Sequence, residues 1–171
     1  MSYFKRIKKD AIKKSFLSED QILELAVRVI VNPTYGWITT ALIIYGCRPI
    51  ETFSLIPSSD GTASVVHFGE SQIEPFRRKV LANPSDFVEK LNIVDQVSQP
   101  FFFENLEDYD FVALDDFMIN WNIWFKSMQN NLELSDLGKC WARRIINSGI
   151  SKKLAAKYMG IPFHEFCSEF K

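Results

Sequence analysis

From Trp37 to Tyr45 the chain is almost wholly apolar or small, and the run ends in Gly46-Cys47-Arg48-Pro49-Ile50-Glu51. Such a run predicts a buried helix over about 34–45, stopped by Gly46 and the following Pro49. Pro49 at a first-turn position then opens a short helix to about Leu55. Arg48 therefore emerges from a buried segment, where a cation needs an anionic partner. Glu51, one turn on, can supply it locally. An external phosphate, which the planar guanidinium fork suits, is the other candidate.

The remainder of the chain reads as one mainly helical domain. Ser18-Glu19-Asp20-Gln21 is a capping-box pattern that opens a helix to about Val31. Thr62 to Phe68 is β-branched enough for a strand; Gly69-Glu70-Ser71 follows as a hairpin turn, with a second short strand near Gln72-Ile73. Helical patterns are expected over 74–80 and 84–94, then an apolar plug at 99–103 and an acidic loop over 104–110. Leu114, Phe117, Met118, Trp121, Trp124, Phe125 and Met128 recur at helical spacing, an aromatic stripe whose ordinary use is core packing. A helix from Leu134 to the Ser148-Gly149 cap and another from Lys152 to Met159, capped by Ser151 and ended by Gly160, close the pattern. Two helices joined by a tight turn can be a packing unit or a helix-turn-helix.

Composition narrows the function classes. Hydrophobic residues make up 47% of the 171, with 15 phenylalanines and four tryptophans, which excludes a disordered chain. No apolar run reaches membrane-spanning length and no signal-peptide pattern is present, so a cytoplasmic protein without membrane partners is expected. Cys47, Cys140 and Cys167 lack metal or disulfide spacing, and His67 and His164 have no ligand partners in sequence; neither a metal site nor a cofactor is expected.

The net charge of −1 is unevenly spread. Residues 1–17 hold six bases against Asp10, forming a basic, amphipathic arm ahead of a domain over 18–171. Residues 104–116 hold six acids and no base. Residues 139–157 hold Lys139, Arg143, Arg144, Lys152, Lys153 and Lys157 and no acid. These six are candidate phosphate contacts on nucleic acid or an ordinary solvated helix surface.

The Tyr45-Gly46-Cys47-Arg48-Pro49-Ile50-Glu51 centre resembles the first arginine box of the tyrosine recombinase (phage integrase) family. Asp136-Leu137, Trp141-Ala142, the Gly149-Ile150-Ser151 turn and Leu154 to Gly160 resemble the segment carrying that family's later boxes, in the same order. The resemblance implies a catalytic-type fold, mainly α with a small β-hairpin sheet, in which Arg48 meets a phosphate. It also implies lost chemistry. The family's histidine and second arginine fall on Ser135 and Gly138, its last histidine on Ile161, its hairpin lysine at or near His67, and its nucleophilic tyrosine on Phe170. Phenylalanine has no oxygen with which to attack phosphorus.

The expectation is a catalytically inactive, recombinase-like protein of mobile-element or plasmid origin that binds double-stranded DNA through Arg48, His67 and the basic helices. No small-molecule substrate is expected. An interaction module docking on a homologous active recombinase or on itself, using the acidic loop and the segment from Glu165 onward, is the alternative. An active recombinase with a rearranged site is the third reading.

Overall fold

The computed structural model describes residues 17–58, 60–67, 76–82, 110–129 and 131–170. The basic arm, the turn at 69–71, the short strand near 72–73, the helical pattern of 84–94, the apolar plug and the acidic loop up to 109 lie outside these residues. Among the described residues, helix α1 (Glu19–Ile30) and helix α2 (Gly36–Tyr45) are followed by a 3-10 helix (Pro49–Ser54). Strands β1 (Ile56–Pro57), β2 (Thr62–His67) and β3 (Phe76–Leu81) come next, then α3 (Phe111–Met128), α4 (Leu134–Asn147), α5 (Lys152–Met159) and α6 (Phe163–Glu169).

The caps fall where the side chains supply them. Ser18 and Gln21 close a reciprocal capping box on α1. Asp110 accepts from the Val112 and Ala113 amides at the start of α3, and Ser151 accepts from the Leu154 amide at the start of α5.

Helix α2 is the centre of the core, with every residue buried except Trp37. Full burial of Ile38, Leu42, Ile43 and Ile44 stabilises by about 1.5–3 kcal/mol each. Its two buried hydroxyls are satisfied: Thr39 and Thr40 donate to the carbonyls of Tyr35 and Gly36, and Thr39 Oγ1 also accepts from Trp121 Nε1 at 2.9 Å. Leu114, Trp121 and Phe125 of the aromatic stripe are buried, with Phe117, Met118, Trp124 and Met128 packed at its margin. A second cluster gathers Trp141, Ala142, Ile145, Ala155, Ala156 and Phe166.

The sheet has order β1-β2-β3, antiparallel throughout, with His67 opposite Phe76, Val65 opposite Arg78 and Ala63 opposite Val80. The helix expected over 74–80 is thus corrected to strand β3. The period of two, not of 3.6, decides it: Arg78 and Val80 turn inward while Arg77 and Lys79 are exposed. Helix α6 is a further element that no cap or periodicity in the sequence announces.

Candidate functional site

The turn that carries Arg48 is fixed from two sides. Gly46 has φ of +60° and terminates α2, and a Cβ placed on it would lie 2.2 Å from the Trp141 ring. Trp141 is fully buried and donates from Nε1 to the Leu81 carbonyl at 3.1 Å, so α4, the end of α2 and β3 meet there. Arg48 itself is half-buried, with extended backbone at the start of the 3-10 helix.

Glu51 is wholly buried and forms the hub of the site. Its Oε2 accepts from the Arg48 backbone amide at 2.8 Å and from Arg78 Nη2 at 2.6 Å. Its Oε1 lies 3.0 Å from Arg78 Nε and 2.9 Å from His67 Nδ1. The fork-to-fork pair with Arg78 is the geometry in which a buried carboxylate is best compensated. Arg78 continues outward to the Tyr158 carbonyl and, at 3.2 Å, to that of Met159. One guanidinium thus ties the 3-10 helix and β3 to the carbonyl end of α5 and complements that end's partial negative charge. Gly160, with φ of +69°, leaves room for it: a Cβ would sit 2.8 Å from Arg78 Nε.

An open pocket of about 410 Å³ lies beside this hub, lined by His67, Arg78, Lys79, Lys157, Tyr158 and Gly160. Arg78 and Lys79 escaped the sequence reading because they were assigned to a helix. The consecutive bases Arg77, Arg78 and Lys79, flanked by Phe76 and Val80-Leu81, were the available signal.

The other residues singled out from sequence are spread over the α4–α6 end. Arg143, Lys152, Lys153 and Lys157 are exposed. Lys152 Nζ donates to the Phe170 carbonyl at 2.8 Å. Lys139 stands 4.0 Å from carboxylate oxygens of both Asp136 and Glu169. Arg144 turns inward and donates to the Ile43 carbonyl; burial brings its guanidinium down to about 10. Ser135 is exposed and Gly138 buried, while Ile161 is half-buried against the second cluster. Phe170 follows α6 with its ring 4.4 Å from that of Phe166. Among the described residues no group of three or more His, Cys, Asp or Glu side chains is placed to hold a metal ion, and no helix is long and apolar enough to cross a membrane.

The cysteines differ sharply in environment. Burial, reinforced by the charge of Glu51, pushes the Cys47 thiol far up, and burial also raises Cys140. Cys167 is half-buried on α6. Iodoacetamide applied to the native protein at pH 8 is expected to label Cys167 first and to reach Cys47 and Cys140 only on unfolding. Peptide mass spectrometry reads the order; equal labelling of Cys47 would mean that the Arg48 turn opens in the native state.

No family model matches the chain, and no curated protein matches it in sequence. Among solved structures, the chain is similar to the XerH site-specific recombinase, captured bound to its difH substrate in a pre-cleavage complex. The TM-score is 0.54 at 12% identity, over 92% of this chain and 50% of that one, so this chain spans about half the length of the recombinase it resembles. The likeness is one of fold: a mainly helical domain with a three-stranded antiparallel sheet, of the tyrosine recombinase catalytic-domain type.

Proposed function

We propose that this chain is a DNA-binding accessory protein of recombinase type that grips duplex DNA and does not cut it. The observation that carries the reading is the basic helix pair, where Arg143 on α4 and Lys152, Lys153 and Lys157 on α5 are exposed, with no acid between 139 and 157. Side chains of this kind act on backbone phosphates, positioning a protein on a duplex without reading its sequence. Arg144, turned into the fold, is left out of that surface, and Lys139 stands between two carboxylates. Arg48, half-buried at the turn beside the hub, is not counted among these contacts. The fold's likeness to a recombinase solved on its DNA substrate favours DNA as the partner class.

The non-cutting half of the proposal rests on the side chains at the positions where the resemblance expects chemistry. Phe170 offers a ring packed on Phe166 in place of a nucleophilic oxygen. Gly138 and Ile161 offer no side-chain hydrogen-bond donor to a developing phosphoryl charge. Binding and reaction are therefore separable in one assay. Fluorescence anisotropy of a labelled duplex is expected to show binding that weakens with salt with a slope of about −3 to −4, matching four released counterions. The variant carrying Arg143→Gln, Lys152→Gln, Lys153→Gln and Lys157→Gln flattens that slope. A nicked suicide duplex is expected to yield no covalent adduct. Failure to bind any duplex at low salt would sink the proposal, and an adduct mapped to a tyrosine would overturn its inactive half.

A further inference from the structure

Helix α3 buries one face and carries an apolar stripe on the other. Leu114, Trp121 and Phe125 are buried, whereas Val112, Ile119 and Ile123 are 75%, 58% and 63% exposed. With 3.6 residues to the turn, these three fall within about 40° of one line along the helix, directly opposite Trp121. No other described element carries as many exposed large hydrophobic side chains. Such residues scattered singly are ordinary surface; three in line on one helix are a face that lacks a partner.

The charges on that face decide what fits it. Asp115 and Asp116 are exposed in the first half of the helix and Lys126 near its end. Lys126 stands 3.5 Å from Glu133, but the two side chains are 55% and 51% exposed, so that pair is weak and open to exchange. Two copies of α3 laid parallel would set the aspartates against the same aspartates and Lys126 against itself. Laid antiparallel about a two-fold axis level with Trp121, Ile119 of one copy lies across from Ile123 of the second, and Lys126 comes level with the second copy's Asp115 and Asp116. Val112 extends the apolar seam towards each end. The two-fold axis repeats every contact, so each apolar and each ionic match forms twice. The face is complementary to itself in one orientation only, the opposite one being disfavoured by like charge.

We propose that the outer face of α3 is a self-association surface, on which a second copy of this chain docks with its own α3 antiparallel. The inference goes beyond duplex binding and uses none of the side chains assigned to it. A seam of one 18-residue helix on another lies at the small end of specific interfaces, so a dissociation constant on the order of tens of micromolar is expected.

Sedimentation velocity of the full chain without DNA, over a concentration series spanning that value at low salt, reads the equilibrium directly. Ile119→Lys is expected to weaken self-association at least about tenfold, because it puts a charge at the centre of the seam. Lys126→Glu alone, and Asp115→Lys with Asp116→Lys alone, each leave like charges facing across the axis and are expected to favour monomer. Mixed in equal amounts, these two variants are expected to form a dimer as tight as that of the unaltered chain, since each carries the charge the other lacks. All these substitutions are at exposed positions, and a folding defect would not be repaired by mixing. A chain that stays monomeric throughout the series would overturn the proposal and mean that another segment or a different partner takes the stripe. A dimer that survives Ile119→Lys, or variants that fail to pair on mixing, would overturn it as well.

Discussion

Replacing Arg78 by methionine is expected to destabilise the fold by about 3–5 kcal/mol, read as a lower midpoint in urea unfolding. The cost comes less from the lost ion pair than from what remains. Glu51 is wholly buried, and without the guanidinium its carboxylate keeps the Arg48 amide and His67 but loses the cation that balances it. Tyr158 and Met159 lose a donor at the end of α5 in the same step. Glu51→Gln in the Arg78→Met background removes the orphaned charge. The double variant is therefore expected to be more stable than the sum of the two single losses implies. A loss below about 1 kcal/mol for Arg78→Met would show that Glu51 does not depend on this partner.

Trp141→Ala is expected to cost a similar amount, about 3–5 kcal/mol in the same measurement. The ring is fully buried, fills the space left by the missing side chain of Gly46, and donates to the Leu81 carbonyl. Truncation opens a cavity under the Arg48 turn and leaves a strand carbonyl short of its donor. Trp141→Phe keeps most of the volume and loses the indole N–H, so it separates packing from hydrogen bonding. A fall of about 1 kcal/mol for phenylalanine against the full loss for alanine would assign the site to packing.

Much of this architecture was legible because it is written locally. Ser18 with Gln21, the apolar run into Gly46, Pro49, the aromatic stripe and the Ser151 and Gly160 boundaries each announce an element within a few residues, and each element forms there. Strand β3 was not legible in this way. Phe76 and Val80 are spaced as on a helix, and three consecutive bases hide the alternation; pairing with β2 and the need of Glu51 for a counter-charge 27 residues away override the local pattern. The site was half legible for the same reason. Arg48 could be picked out by its place after a buried helix, whereas the partners of its neighbour Glu51 come from two strands and depend on tertiary pairing. Arg143 and Arg144 show the limit at finer scale. They are adjacent and chemically alike, and only the packing of α4 on α2 sends one outward and the other to the Ile43 carbonyl.

The two apolar clusters of the described residues have a bearing on how the molecule comes apart. Helix α4 contributes Leu134, Leu137 and Cys140 to the first and Trp141, Ala142 and Ile145 to the second, so a single rigid rod runs through both. Arg78 adds a second tie between the sheet and the end of α5. Two centres linked in this way cannot melt one after the other without exposing the middle of α4 and stranding a buried charge. The helices at the C-terminal side are therefore expected to unfold in one cooperative unit with the central helix, with amide exchange in α4 and α5 set by global opening rather than by separate fraying of an appended lobe.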